Sequence, residues 1–255
     1  MTIQQHIYNQ DPDQITANTQ LIAVNGDQGT LRIAVKENLM RASGGGEPRD
    51  RGMVSLAAND NWPVRDVVKM DGLTWMVLDQ PSTVPQVGDP LTIRIDGDHR
   101  ERRRRLHTAV HLCLRSIYCQ FAEVEVGLAE IDESAESAVI MASVDRDVVD
   151  PDIWEVDRRL RSYVLDNRAV EPVKAKSVEA AEEEYGDLLR ISDRYAFKGR
   201  IRLIHIDGLD LNPCSGLHHR SSNIGPYSLR RMLAESKQIK LRLELRACWT
   251  YWYGD

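Results

Sequence analysis

Two short motifs carry side chains of the types that bind metal ions. His107 and His111 are separated by three residues, and Cys214 and His218 show the same spacing about a hundred residues later. On a helix, residues four apart share one face with Cβ atoms roughly 6 Å apart, so both imidazoles of the first pair could reach one ion. The thiolate and the third imidazole would complete the tetrahedron that zinc prefers. The two pairs therefore predict a zinc site, for which His219 is an alternative ligand to His218.

The segments around the two pairs indicate how they are positioned. Residues 101–121 carry apolar side chains at helical spacing, which places the first pair on a predicted helix. Residues 201–206 alternate like a strand and lead into residues 207–213, a predicted loop that would direct the second pair outward. The remaining cysteines are expected to act as small hydrophobic residues rather than as ligands, namely Cys113, Cys119 and Cys248.

Residues 1–97 contain short apolar runs separated by glycine and proline. Residues 21–35 predict a hairpin around a Gly-rich turn at residues 25–29. Further strands are predicted at residues 53–56, 64–70, 73–78 and 91–95. Many short strands separated by glycine and proline predict a small barrel or a sandwich.

Residues 98–255 mix helical and strand patterns without the rhythm of alternating strands and helices that a parallel sheet requires. An amphipathic helix is predicted at residues 153–167 and an acidic helix at residues 178–189, and further strands are predicted at residues 139–144 and 239–245. This mixture predicts an antiparallel sheet with helices on one side. We therefore expect an α+β protein with two domains, residues 1–97 and residues 98–255.

Composition narrows the functional classes. The 255 residues are 42% hydrophobic and 28% charged, which is typical of globular domains, and no stretch approaches the roughly 20 apolar residues of a membrane span. Four cysteines do not make a disulfide framework, and the N-terminal residues lack the layout of a signal peptide, so we expect a cytoplasmic protein. Because the net charge is −6, a nucleic acid would have to bind a local basic patch.

A run of arginines supplies such a patch just before the first ligand pair. Cations at the start of a helix oppose the helix dipole, which suggests another use for them, such as contact with phosphates. The arginines predicted to bind RNA are Arg102, Arg103, Arg105 and Arg220. The aromatic residues 249–253 could stack on bases, although packing into a core or a dimer contact is the better interpretation.

Three segments together resemble a known family. They are the His-Thr-Ala-x-His motif at residues 107–111, the Cys-x-Gly-x-His motif at residues 214–218, and the Gly-rich residues 43–52, which are similar to Gly-Gly-Gln-Pro-x-Asp-x-Gly. In this order they resemble the editing domain of alanyl-tRNA synthetase, whose free-standing form is the AlaX family. The resemblance spans roughly residues 20–246, nearly the whole chain.

This resemblance implies a Gly-rich β-barrel-like domain followed by the α+β domain that threonyl- and alanyl-tRNA synthetases share. It implies zinc held by His107, His111, Cys214 and His218, and hydrolysis of tRNA(Ala) that carries serine or glycine by mistake. The partner would be the aminoacylated 3′ end of tRNA, and neither a DNA nor a membrane partner is expected. Since no segment resembles a synthetase catalytic domain, the protein would edit in trans.

The chain departs from the family pattern at three places that line the substrate pocket in the family. Glu47 stands where the family has glutamine, Met-Arg-Ala at residues 40–42 replaces an aromatic-Pro sequence, and the usually Gly- and Ser-rich hairpin reads differently at residues 121–130. Glu47 could act as a general base on a water molecule, or it could be an ordinary loop carboxylate. The aminoacyl preference is therefore left open.

The role of the metal and the rival functions also stay open at this point. Four protein ligands conflict with the open position that catalytic zinc keeps, so zinc would activate water through a weak ligand, position the substrate, or only join the two segments. Against a zinc-dependent deacylase stand two rivals: a tRNA-binding accessory module with a degenerate, non-catalytic zinc site, and a zinc hydrolase acting on another small ester or amide.

Overall fold

The computed structural model describes residues 3–27, 29–56, 60–79, 84–190 and 199–248. The aromatic residues 249–253 therefore lie outside the described residues. The chain divides into two compact units, Met1–Glu101 and Arg102–Asp255. The boundary expected from the sequence, between residues 97 and 98, falls where helix α1 (Gly97–Gln120) begins.

The first unit is built of strands. They are β1 (Gln5–His6), β2 (Thr16–Asp27), β3 (Thr30–Val35), β4 (Glu37–Asn38), β5 (Gly52–Ser55), β6 (Asn61–Met70), β7 (Leu73–Asp79) and β8 (Pro90–Ile95). Six of them close a barrel in the order β2-β3-β7-β6-β5-β8, in which neighbouring strands are antiparallel. The short strands β1 and β4 pair in parallel beside it.

Alternating apolar residues fill the interior of this unit. Leu31, Ile33 and Val35 of β3 are buried in one hydrophobic cluster with Met76 and Leu78 of β7. The period of two directs every second side chain inward, so the alternation visible in the sequence becomes the core. The hairpin expected at residues 21–35 is confirmed as β2 and β3.

Glycine is required at two places in this unit, one in a tight turn and one where two strands approach closely. Asp71 and Gly72 join β6 to β7 with φ values of 52° and 75°, the left-handed geometry that a tight hairpin turn needs. At Gly52 a Cβ atom would lie 2.2 Å from the backbone oxygen of Arg94, so only glycine allows β5 to approach β8 this closely.

The second unit contains the remainder of α1 and both sheets of the α+β part. Its other elements are β9 (Val124–Ile131), β10 (Ser137–Val144), α2 (Asp150–Leu165), β11 (Val170–Ala175), α3 (Val178–Tyr185), β12 (Ile201–Ile206), β13 (Asp210–Pro213), β14 (Tyr227–Glu235) and β15 (Gln238–Leu245). One antiparallel sheet has the order β14-β15-β10-β9, and the other has the order β11-β12-β13.

Helices α1 and α2 share a core with one face of the four-stranded sheet. Ala138, Ile140 and Ala142 of β10 point into this core, where they join Ile117 of α1 and Leu160 of α2. Val139 and Met141 between them are half-buried and the following Ser143 is exposed, which is the pattern of a sheet covered on one side. The expected α+β class, with helices against an antiparallel sheet, is confirmed.

The single sheet expected for this unit is wrong in one respect, since β12 belongs to a separate sheet. Residues 207–213 were expected to form a loop, but Asp210–Pro213 forms β13 and pairs with β12. Asp, Asn and Pro have low strand propensity, so cross-strand pairing overrides local preference here. In the described part of the chain, no helix is long and apolar enough to cross a membrane.

Candidate metal centre

Helix α1 and the segment after β13 bring the two ligand pairs together. His107 and His111 lie one turn apart on α1, and both are buried. The strand β13 ends at Pro213, immediately before Cys214, and the chain then turns back so that His218 is buried against the same helix. The ligand atoms of His107, His111, Cys214 and His218 all lie within 4.8 Å of one another.

The distances within this group fit a tetrahedral metal. Cys214 Sγ lies 3.5 Å from Nε2 of His107 and 3.4 Å from Nε2 of His218. Ligands at the usual Zn–S and Zn–N lengths of a tetrahedral zinc are separated by roughly 3.5 Å. The backbone N–H of Gly216 donates to Cys214 Sγ at 3.3 Å, a contact that suits a thiolate. One thiol and three imidazoles are also the donor types that zinc selects.

The electrostatics of the group favour the protonation states that a metal requires. Burial would raise the pKa of Cys214, but the charge and hydrogen bond of His107, with hydrogen bonds from His111 and His218, hold that pKa well below its usual value. Burial and the nearby His107 and His111 together lower the pKa of His218 to about 3, although Cys214 opposes this shift. The cysteine is therefore inclined to be a thiolate and His218 a neutral imidazole.

Thr108, which lies between the two histidines of the first motif, holds His218 in place. Its Oγ1 lies 3.3 Å from His218 Nδ1 and accepts the backbone N–H of His219 at 3.1 Å. If Nδ1 donates to this oxygen, His218 Nε2 is left with a free lone pair directed at the group. The residue types at positions 107–111 pointed to the ligands, but this supporting role of the hydroxyl depends on a contact between distant segments.

The backbone of His219 also bears on the alternative ligand set. His219 N–H donates to the backbone oxygen of Arg104 at 3.3 Å, and Arg104 Nε donates to the backbone oxygen of His218 at 2.8 Å. These contacts with α1 fix the segment so that the imidazole of His218 joins the other three ligand atoms. Within the described residues, the group that could hold a metal contains His218 and not His219.

Arg105 braces the chain just beyond this segment. Its Nε donates to the backbone oxygen of Ile224 at 2.7 Å. Gly225 has φ of 77°, and a Cβ atom there would lie 2.6 Å from Nη2 of Arg105. Glycine at position 225 therefore leaves space for the guanidinium that anchors this loop to α1.

The arginines at the start of α1 divide into buried and exposed side chains. Arg100 is buried and donates from Nε and Nη2 to the two carboxylate oxygens of Asp50, at 3.0 and 2.7 Å. It also donates to the backbone oxygen of Leu39 at 2.6 Å, which gives it a structural role in the first unit. Arg103 is buried as well, whereas Arg102 is exposed.

Of the arginines expected to contact RNA, two have exposed side chains, Arg102 and Arg220. Arg103 lies in the interior, and Arg105 is half-buried with Nε bound to a backbone oxygen. Contact of the four with RNA stays a prediction, and the exposure of Arg102 and Arg220 makes these two the residues to test first.

Glu47 forms a buried ion pair with Arg41 in the first unit. The Nη1 of Arg41 lies 2.7 Å from Oε2 of Glu47, and both side chains are almost fully buried. Arg41 also donates from Nη2 to the backbone oxygen of Gly44 at 3.0 Å, across the Gly-rich turn. The two positions at which the chain departs from the family pattern in this segment are therefore in direct contact with each other.

Comparison with known proteins agrees with the resemblance seen in the motifs. The chain is 21% identical over 237 residues to the alanyl-tRNA editing protein AlaX-L of Pyrococcus horikoshii, which covers 92% of this chain and 56% of that protein. The chain is therefore similar to an AlaX editing protein over nearly its whole length. No protein-family model matches it.

The chain is also similar to alanine–tRNA ligases. The alanine–tRNA ligase of Methanopyrus kandleri is 27% identical over 210 residues, which are 81% of this chain and 22% of the ligase. The enzyme of Neisseria meningitidis is 27% identical over 209 residues, which are 80% of this chain and 23% of the ligase. The chain thus spans about half the length of AlaX-L and under a quarter of the ligases.

Proposed function

We propose that the protein is a zinc-dependent hydrolase that removes serine or glycine from mischarged tRNA(Ala). The observation that carries this proposal is the convergence of His107, His111, Cys214 and His218, with ligand atoms within 4.8 Å of one another. The relationship to AlaX-L and to alanine–tRNA ligases supplies the substrate class. We further propose that residues 98–255 form the editing domain and that residues 1–97 form a separate barrel-like domain.

Hydrolysis of an aminoacyl ester requires a positioned ester, a positioned water and stabilisation of the oxyanion. A bound zinc ion would supply Lewis-acid polarisation or a fixed point for the substrate. The chain itself contributes the rigid ligand frame, because Thr108 orients His218 and Arg104 holds the backbone that follows. This frame keeps the reacting end of the substrate in one place, which is a large part of catalysis.

Recognition of the nucleic acid is proposed to involve the exposed arginines. We call the four candidate ligands, His107, His111, Cys214 and His218, the metal group. Arg102 lies on α1 before His107, and Arg220 lies two residues after His218; both side chains are exposed. Guanidinium groups bind phosphates through paired N–H donors, which suits a single-stranded RNA end. Charge removal at either residue is expected to weaken tRNA binding more at low salt than at high salt.

Glu47 is retained as a proposed general base, with a constraint from its surroundings. Its Oε2 forms an ion pair with Arg41, so Oε1 would be the atom that accepts a proton from water. The competing interpretation is that the ion pair only shapes the Gly-rich turn. Substitution of Glu47 by glutamine removes the proton acceptor and the ion pair together, whereas Arg41→Met breaks the ion pair and leaves the carboxylate. Loss of deacylation in Glu47→Gln but not in Arg41→Met would support the general base.

The decisive experiment measures deacylation by the zinc-loaded full chain. Serine-, glycine- and alanine-charged tRNA(Ala) are incubated with the protein, and release of the amino acid is followed. We expect rapid release of serine or glycine, and its loss in His107→Ala and Cys214→Ala with an unchanged circular dichroism spectrum. Cys119→Ser, at an exposed cysteine, is the matched control and should retain full activity. Full activity in both ligand variants would overturn the proposal.

One observation favours a second candidate, a tRNA-binding accessory module with a non-catalytic metal. Four protein ligands form the closed set that is typical of structural zinc sites. This candidate predicts tight, salt-dependent binding of tRNA without turnover on any aminoacyl group. The same deacylation panel, combined with tRNA binding at several salt concentrations, distinguishes the two functions.

A further inference from the structure

One face of the three-stranded sheet carries a buried carboxylate close to the metal group. Ile204 and Ile206 of β12 point into the core shared with α1, and their partners across the sheet are Asn212 and Asp210 of β13. Since paired residues share a face, Asp210 lies on the side of the sheet that meets α1. Asp210 is 2% exposed, and its Oδ1 has no hydrogen-bond partner, while the side-chain amide of Asn212 donates to its Oδ2.

Arg190 extends the same face of the sheet. Its backbone N–H donates to the backbone oxygen of Leu211 at 2.8 Å, and Leu189 forms a parallel bridge with Leu211. Leu189 and Leu211 belong to the hydrophobic cluster on the opposite face of the sheet. By alternation, the side chain of Arg190 lies on the face of Asp210. Its guanidinium lies 5.3 Å from the ring centre of Tyr118 on α1.

Arg115 completes the cluster from α1. It follows His111 by one helical turn, which places their Cβ atoms roughly 6 Å apart on the same side of the helix. The Nε and Nη1 atoms of Arg115 and the Nε of Arg190 are buried and have no hydrogen-bond partner. Three donor nitrogens and one carboxylate oxygen are thus withdrawn from bulk water without any hydrogen bond to the protein.

Arg115, Arg190 and the candidate ligand His111 all lie within electrostatic range of Asp210. Burial raises the pKa of Asp210 to about 6, and His111, Arg115 and Arg190 oppose this rise. With two guanidinium groups and one carboxyl group, the cluster has a net positive charge. Buried polar groups of native proteins are almost always bonded to protein, water or ligand, so the arrangement calls for an occupant.

We propose that Arg115, Arg190 and Asp210 form a subsite for a phosphorylated ribose, namely the terminal nucleotide of the substrate RNA. The two guanidinium groups bind the 5′-phosphate of that nucleotide, and Asp210 Oδ1 accepts a hydrogen bond from the ribose 2′-hydroxyl. The ester and the 5′-phosphate are attached to the same ribose, and Arg115 is one helical turn from the metal ligand His111. The inference rests on the proposed function and names how that site holds its substrate.

The test compares RNA hairpins that end in a single-stranded CCA and differ at one position. One carries a neutral methylphosphonate in the last linkage, one has a 2′-deoxy terminal nucleotide, and one is unmodified. Binding to the zinc-loaded full chain is measured by fluorescence anisotropy, with zinc content determined in parallel. We expect the native protein to bind each modified hairpin several-fold to about tenfold more weakly. Equal affinity for the unmodified and methylphosphonate hairpins overturns the phosphate contact.

Variants assign the contacts to residues. Arg115→Gln and Arg190→Gln should weaken binding of the unmodified hairpin about as much as the methylphosphonate does, and should remove the sensitivity to it. Asp210→Ala should remove the sensitivity to the 2′-deoxy substitution. Arg158→Gln, at an exposed arginine of α2, is the matched control and should behave as the native protein. Sensitivity that persists in a variant excludes that residue from the contact.

The outcomes separate this inference from the proposed function. If the methylphosphonate sensitivity depends on Arg115 but no charged tRNA is deacylated, the function is wrong and the subsite stands. If deacylation proceeds with unchanged KM in Arg115→Gln and Arg190→Gln, the function stands and the subsite is wrong. Because the modified hairpins are tested on the native protein, the result does not depend on the folding of any variant.

Discussion

Thr108 is the residue that most directly couples the two ligand segments. Its hydroxyl oxygen contacts Nδ1 of His218 and the backbone N–H of His219, although it lies on α1 beside His107. Partners of this kind fix the ring orientation and the tautomer of a metal-binding histidine. The threonine therefore has a defined supporting role that its position in the motif alone did not reveal.

The first prediction concerns this hydroxyl. Thr108→Val removes the acceptor at nearly constant volume and should lower zinc affinity about 10- to 100-fold. Competition with a chromogenic chelator measures the effect directly. Thr108→Ser, which keeps the oxygen, should stay close to the native value, and an equal loss in both variants would contradict the role of the hydroxyl.

A second feature at this scale is the contact between Arg41 and Glu47. Both side chains are buried, and a carboxylate that loses its charge would leave the guanidinium without its ionic partner. Removal of one member of a buried ion pair is costly because the other charge stays in the interior. The charges of Glu47 and Arg41 are therefore expected to affect stability as a coupled pair.

The second prediction concerns the ion pair between Arg41 and Glu47. Glu47→Gln should reduce the free energy of unfolding by about 3–5 kcal/mol, as is typical when a buried pair is broken. The double variant Arg41→Met with Glu47→Gln should lose less than the sum of the single variants. Urea unfolding of the four proteins in this cycle measures the coupling. Additive losses would show that the two side chains act independently.

At the scale of elements, α1 carries much of the site on one continuous helix. Its first turn bears Arg100, bound in the interior of the first unit to Asp50 and to the backbone of Leu39. Further along, Arg104 and Arg105 hold the loop that follows β13. Three arginines of this run thus bind the protein itself, and only Arg102 is exposed among residues 102–104. Contact of the arginines with RNA stays a prediction.

The third prediction contrasts two arginines of this run. Arg100→Ala removes the guanidinium that forms an ion pair with the buried Asp50 and should destabilise the protein by about 3–5 kcal/mol. Arg102→Ala removes an exposed side chain two residues away and should change stability by no more than about 0.5 kcal/mol. Thermal unfolding of both variants gives the comparison, and similar melting temperatures would refute the structural assignment of Arg100.

At the scale of the whole molecule, the metal group joins α1 to the chain segment that follows β13. These parts of the second unit are about a hundred residues apart in sequence. A ligand that binds only the folded state stabilises it according to its concentration and affinity. Occupation of the group should therefore stabilise the fold as well as serve the proposed reaction.

The fourth prediction is that metal removal lowers the melting temperature. At a free zinc concentration 100 times its Kd, binding stabilises the native state by about 2.7 kcal/mol, and this is lost with a strong chelator. Differential scanning calorimetry with and without chelator measures the change. In Cys214→Ser the chelator should have a much smaller effect, and an unchanged melting temperature in the native protein would exclude a stabilising metal.

Part of the architecture was accessible from the sequence because it depends on local periodicity. The hairpin of β2 and β3, the helix that carries His107 and His111, and the alternating strand β15 all follow from side-chain spacing over a few residues. The two ligand pairs were recognisable for the same reason, since helical geometry sets the separation of residues four apart. These features require no knowledge of what lies across the core.

Other features depended on contacts between distant segments. The strand β13 forms from a sequence with low strand propensity because β12 offers it a partner. The burial of Arg100 and Arg103, the pairing of Arg41 with Glu47, and the cluster around Asp210 likewise arise only when separate elements pack together. The sequence by itself determined which residues could bind a metal and on which elements they lie. The tertiary structure alone decided that they converge, and which charges surround them, because burial and pairing depend on long-range packing rather than on local spacing.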